Sequence, residues 1–156
     1  MTRIGLFAAT AFIALLPLTA QAEEPTVIGS LTGVKWIAAP PAAGLPNGTE
    51  VVALFGDPAK DGQYANRVRF PSGAIIPPHT HPNDENVTVL SGTLHVGLGD
   101  KVDRSKATAV TAGGFIRLPK GTPHYAWATG TTIIQSNNIG PTGRTMLNAA
   151  DAPKKK

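Results

Sequence analysis

The chain of 156 residues contains no cysteine. No disulfide can staple it and no lipid can be attached through an N-terminal cysteine, so stability has to come from a packed core or a bound ion. Charge is scarce as well: Asp, Glu, Lys and Arg make up 15% of the residues, and 14 basic side chains face 10 acidic ones. An excess that small gives no argument for nucleic acid as a partner. The apolar run from Ile4 to Leu18 carries Pro17 near its end and falls short of the roughly 20 residues needed to span a bilayer. Helical periodicity sustained beyond a turn or two is missing too, as are internal repeats and any sign of a second domain.

Glycine and proline are plentiful, at 17 and 14 residues, and Val, Ile and Thr fill the stretches between them. That mixture favours short strands and tight turns, and a 42% apolar content suits a folded domain. Residues 1–22 read as a signal peptide: Arg3, the apolar run, then Thr19-Ala20-Gln21-Ala22 with small side chains where the peptidase needs them. Cleavage is expected after Ala22, leaving a periplasmic or secreted chain without a stable membrane anchor. The Ala, Pro and Gly-rich residues 23–48 read as an arm laid on the domain, with a lone strand at Val34 to Ile37. Residues 49–148 carry the remaining strands, and 149–156 form a basic tail ending in Lys154-Lys155-Lys156.

Within 49–148 the strand signals fall about every ten residues. They cover Val51 to Phe55, Tyr64 to Phe70, Ala74 to Pro77, Asn86 to Leu90, Thr93 to Leu98, Phe115 to Leu118, His124 to Ala128 and Thr131 to Ser136. Ser91-Gly92 reads as the turn of a hairpin, and Asp103 to Lys106 as a charged excursion. The expected fold is all-β, an antiparallel sandwich or barrel.

One stretch carries chemistry. His79 and His81 are one residue apart between Pro78 and Pro82, and Glu85 follows four positions later. Side chains alternate across a strand, so the two imidazoles share a face, and Glu85 joins them if it opens the next strand together with Val87 and Val89. His124 is the best fourth candidate, since it follows a Gly and Pro punctuated turn and is followed at alternate positions by the small residues Ala126 and Ala128. Imidazoles plus a carboxylate suit a divalent transition ion, with Fe or Mn favoured and Zn, Ni or Cu also compatible.

These residues resemble the cupin superfamily. Gly73, five residues, His79-Thr80-His81, three residues, Glu85, six residues and Gly92 look like its first motif in full. Gly113, five residues, Pro119-Lys120-Gly121, two residues and His124 resemble most of the second. The departure is Ala128, where the pattern has Asn. The resemblance spans roughly residues 50 to 140 and implies a jelly-roll barrel, a double-stranded β-helix with His79, His81, Glu85 and His124 as metal ligands at its mouth. A homodimer is implied too, being common among similar proteins.

The remaining polar and aromatic residues read mainly as structure. His95 should point outward, because Leu94, Val96 and Leu98 supply the core face of its strand. Tyr125 and Trp127 alternate with His124 and should pack beneath the arm or at a dimer contact, while Trp36 belongs to the arm itself. Arg67, Arg69 and Arg117 should lie on a solvated or paired outer face. Asp84 is a candidate to orient one of the histidines by a hydrogen bond.

Function divides into two classes on this reading. One is an exported metalloenzyme of oxidoreductase type, a dioxygenase or an oxalate oxidase or decarboxylase, acting on a small oxygenated molecule. The other is a non-catalytic metal-dependent ligand-binding or sensor domain, favoured by the lack of polar pocket residues beyond the ligands. An isomerase ranks lowest, since no inward acid or base beside the metal is evident. The catalytic residues themselves, as distinct from metal ligands, are not legible.

Overall fold

The computed structural model describes residues 26–151; the expected signal peptide and the lysine run of the tail lie outside the described residues. Nine strands follow in chain order: β1 (Ile37–Ala38), β2 (Glu50–Phe55), β3 (Gly62–Phe70), β4 (Ile75–Thr80), β5 (Glu85–Leu98), β6 (Thr108–Thr111), β7 (Phe115–Leu118), β8 (His124–Gly140) and β9 (Thr145–Met146). The described helices are short 3-10 turns, and none is long and apolar enough to cross a membrane.

β8 is the spine of the barrel. One edge pairs antiparallel with β5 from Val87↔Ser136 to Leu98↔His124. The other is shared between β3, which takes Thr132 to Gly140, and β4, which takes His124 to Trp127. The far edge of β5 holds β7 and β6, while β2 and β1 extend the sheet beyond β3. This arrangement rolls the strands into the expected all-β, antiparallel double-stranded β-helix.

Alternation then chooses the core. Val68 and Phe70 turn inward while Arg67 and Arg69 between and before them turn outward; Val87 and Val89, Ala126 and Ala128 repeat the pattern. Val89 is fully buried, and Leu45 from the arm packs against the same cluster. The outward arginines are paired, as the sequence suggested: Arg69 with Glu50, Arg67 with the Gln135 amide, and Arg117 with Asp84. Arg69 also lies over the Trp36 ring, 4.7 Å from its centroid.

Five sequence expectations change. Ser91-Gly92 is not a hairpin turn, because the 14-residue β5 runs straight through it. Gly92 adopts φ +76° at a β-bulge, where a Cβ would lie 2.5 Å from the Thr131 carbonyl oxygen. The 17-residue β8 offers both halves of β5 an edge, so neither half needs the other. For the same reason His124 to Ala128 and Thr131 to Ser136 are one strand, bent at Gly130 (φ +70°).

In the arm, pairing reaches only Ile37–Ala38 and not Val34, and Leu98 is 65% exposed and absent from the core. Tyr125 is covered not by the arm but by the loop between β5 and β6. Its hydroxyl donates to the Asp103 carbonyl at 2.7 Å and accepts from the Asp103 N–H at 2.9 Å.

Candidate metal centre

The β4/β8 ladder sets two of the ligand-type side chains directly opposite each other, as the cross-strand pair His79↔His124. Their ring centroids are 4.1 Å apart. His81 lies one alternation beyond His79, and its Nε2 is 3.1 Å from the His79 Nε2. Glu85 opens β5 and directs one carboxylate oxygen to within 3.5 Å of His81 Nε2 and the other to within 3.3 Å of His124 Nε2. The sequence therefore named four residues that the fold brings to one point.

The opposite ring nitrogens fix the tautomers. His79 Nδ1 lies 2.7 Å from the Pro77 carbonyl oxygen, His81 Nδ1 2.6 Å from that of Gly143, and His124 Nδ1 2.9 Å from that of Thr122. A carbonyl can only accept, so each neutral imidazole donates from Nδ1 and keeps its Nε2 lone pair for the centre. His79 and His81 then face each other lone pair to lone pair, and the Glu85 oxygens face those of His81 and His124. Acceptors crowded together in this way repel unless a cation lies among them. The donor set fits a divalent transition ion: three imidazole nitrogens within 4.8 Å of one another, with a carboxylate beside them.

Electrostatics agree. Burial pushes the His79 pKa down to about 3, helped by the positive charge of Arg144, and burial lowers that of His81 in the same direction. Burial by itself would raise Glu85, but hydrogen bonding from His124 and the positive charge of the imidazoles when they are protonated, with that of Arg144, outweigh it and hold the carboxyl at about 2. These shifts favour the deprotonated forms of His79, His81 and Glu85, the forms that bind a cation.

In chelator-treated protein these shifts set the pH dependence of stability. Between 6.5 and about 3 the unfolded His79 binds a proton that the native one refuses, so stability falls on acidification through that window. Glu85 adds a loss of the same sign as pH falls from 4.5 towards 2. Melting curves of the metal-depleted protein are expected to shift downward continuously below pH 6.5, and less steeply in His79→Ala. A flat profile would show that these groups are not buried together.

Asp84 does not orient a histidine. Its carboxylate accepts from the Arg117 guanidinium at 2.7 Å and from the Lys120 N–H at 3.0 Å, both on the outer surface, and backbone carbonyls do the orienting instead. Ala126 lines the inner cavity with His79, Glu85 and His124. Ala128 does not, being 2% exposed within the hydrophobic cluster. His95 turns outward, stacked 4.7 Å from Trp127 and 3.0 Å from the Thr129 hydroxyl. Glu85→Ala is therefore expected to weaken metal binding by at least the roughly 10–100-fold that even outer partners cost, while Asp84→Ala and His95→Ala leave it unchanged. Titration with a competing chelator ranks the three, and any other order would contradict the register of β5.

Arg144 was not legible from the sequence. It follows the last long strand in a Gly-Pro-Thr-Gly loop that carries no periodicity to read. β9 pairs with β4 at His79↔Met146 and Thr80↔Thr145, which draws this loop against the ligand strand. The Gly143 carbonyl then meets His81, and the Arg144 side chain reaches the cavity lined by His79, Glu85 and His124.

Comparison with known proteins is consistent with this geometry. The family described as "Cupin domain" matches residues 66–135. The putative germin-like protein 9-2 of Oryza sativa subsp. japonica is 38% identical over 77 residues, covering 47% of this chain and 36% of that protein. Germin-like protein 3-3 of the same plant is 35% identical over 108 residues, covering 62% of this chain and 48% of that protein. The chain thus spans between about a third and a half of the length of these curated relatives.

Among solved structures, a putative acetylacetone dioxygenase from Methylibium petroleiphilum superposes with a TM-score of 0.64 at 16% identity, over 88% of this chain and 90% of that one. A polyketide cyclase from Streptomyces resistomycificus gives 0.64 at 21% identity, over 81% and 89%. At such identities these likenesses concern the fold.

Proposed function

The chain belongs to the cupin superfamily, and from that premise we propose that it is a metal-dependent oxidoreductase acting on a small oxygenated molecule, a dioxygenase or an oxidase or decarboxylase of the oxalate type. The observation that supports this reading most is the convergence of three Nε2 lone pairs and the Glu85 carboxylate, with every Nδ1 already committed to a carbonyl. His79, His81, Glu85 and His124 would hold the ion. When bound, it would supply a Lewis acid for substrate oxygens and, if redox-active, an electron route to dioxygen.

The chain's own residues do the rest. The three carbonyls lock the imidazole planes, so the ligands are preorganised before an ion arrives. Glu85 is a ligand in this scheme and not a general base. Apolar side chains such as Phe70, Ile76 and Leu118 line the cavity behind the centre and keep bulk water from that side. We also propose that the chain is exported, cleaved after Ala22, and dimeric.

Plasma mass spectrometry on the tag-free protein, followed by oxygen-uptake assays on small diacids, flavonols and catechols, tests the function. About one equivalent of Fe or Mn with oxygen consumption supports it. Stoichiometric Zn without turnover would replace it by a non-catalytic ligand-binding domain, and no metal after reconstitution would remove both.

A further inference from the structure

Two buried polar side-chain atoms have no hydrogen-bond partner among the described residues: Nε of Arg144 and Oδ1 of Asn66. One is a donor and the other an acceptor, and both side chains line the same cavity of about 200 Å³. A buried polar atom left unpaired is destabilising, so their convergence on one space calls for a ligand group that pairs both. His81 of the proposed metal centre, the Tyr64 ring and Ser136 line the same cavity.

Arg144 is bound on one side only. Its Nη1 donates to the Ala43 and Gly44 carbonyls of the arm at 2.9 and 3.1 Å, which anchors the guanidinium. No carboxylate forms an ion pair with it among the described residues, although it also lines the cavity of His79, Glu85 and His124. With a divalent ion present, Glu85 alone cannot balance the ion and the buried guanidinium. The cavity is left with a surplus of about two positive charges, and an anion is the complement such a site attracts.

We infer that this cavity binds a small organic acid carrying both a carboxylate and a neighbouring hydroxyl, with the Arg144 guanidinium taking the carboxylate and the Asn66 amide oxygen accepting from the hydroxyl. The assignment rests on the proposed function for its setting beside the metal, and it narrows the substrate class of that site to hydroxy or enolic acids. Arg144 acts here as a binding residue and not as an acid or base, since a guanidinium does not release its proton. The cavity volume suits a molecule of a few carbon atoms better than a flavonol-sized ring.

Three matched probes separate the contributions: lactate has both groups, propionate only the carboxylate, and propane-1,2-diol only the hydroxyls. Chemical-shift titration of the full chain, loaded with Zn to stay diamagnetic, is expected to give an order lactate, propionate, diol, with lactate about tenfold tighter than propionate. Arg144→Gln is expected to abolish the advantage of both acids over the diol, and Arg144→Lys to retain part of it. Asn66→Leu should bring lactate down to propionate. Equal binding of lactate by wild type and Arg144→Gln, both folded by their amide spectra, would overturn the inference.

Metal content measured on the same samples keeps the two ideas apart. Arg144-dependent binding in protein that holds no metal would sink the metal reading and leave this one standing. Stoichiometric metal with Arg144-independent binding would do the reverse.

Discussion

The His79→Ala/His124→Ala protein is expected to hold less than about a tenth of an equivalent of metal and to melt at the same temperature with and without chelator. The wild type is expected to lose roughly 10 °C on chelation. That figure follows from a ligand present at 100 to 1,000 times its Kd, which adds about 3–4 kcal/mol, converted at the few degrees per kcal/mol usual for a domain of this size. The double substitution is chosen because the two residues are cross-strand partners whose rings lie 4.1 Å apart, so their loss empties one whole side of the centre. His81 and Glu85 remain, and two donors without the facing pair give little affinity.

Metal-free wild type carries an internal cost as well, since the His79 and His81 Nε2 atoms stand 3.1 Å apart with both lone pairs inward. Substituting His79 relieves that repulsion, which offsets part of the packing lost with the rings. Chelated wild type and the double variant are therefore expected to melt within a few degrees of each other. A double variant that retained one equivalent of metal would place the ion elsewhere.

Gly97→Ala should lower stability by about 2–3 kcal/mol, or roughly 6–9 °C in melting temperature, although the position lies on a strand and its backbone is unstrained. The cause is a close approach. Gly97 sits opposite Tyr125 in the β5/β8 ladder, and a Cβ there would be driven into the Cζ and hydroxyl end of the phenol ring. The ring cannot swing away: Tyr125 is 1% exposed, and its hydroxyl is held by both backbone groups of Asp103. The strain should pass to the next residues along each strand, Leu98 and His124, which are themselves partners. Metal occupancy is expected to fall with stability.

Tyr125→Leu removes the colliding atoms but strands the Asp103 N–H and carbonyl, which costs about 1–3 kcal/mol by itself. The Gly97→Ala/Tyr125→Leu double variant should accordingly be destabilised by less than the sum of the two single changes. Strict additivity would mean that the contact is not the cause, and a Gly97→Ala protein melting within a degree of wild type would dismiss it altogether.

Legibility in the sequence followed the range of the interactions. The alternation of Val68 and Phe70 with Arg67 and Arg69 declared an all-β core, since period two is a property of one strand read alone. His79, His81 and Glu85 were legible for the same reason, and the Gly and Pro punctuation before His124 marked its strand. The hairpin at Ser91-Gly92 misled because a glycine with positive φ serves a turn or a bulge equally well, and only the length of the facing β8 decides between them. Asp84 misled in another way: proximity in sequence to the ligands put it near the site, but the side chain turned out to the Arg117 guanidinium.

By itself the sequence determined the all-β class, through local periodicity, and the four side chains that converge, through ligand spacing around His79 and the motifs that resemble the cupin superfamily. Tertiary structure alone decided which atoms orient those side chains, namely the Pro77, Gly143 and Thr122 carbonyls, and that Arg144 and Asn66 share a cavity beside them. Gly143 is 62 residues from His81, and Arg144 is 78 from Asn66. No local pattern encodes a contact at such separation, because it exists only once β9 has paired with β4 and closed the loop over the barrel's mouth.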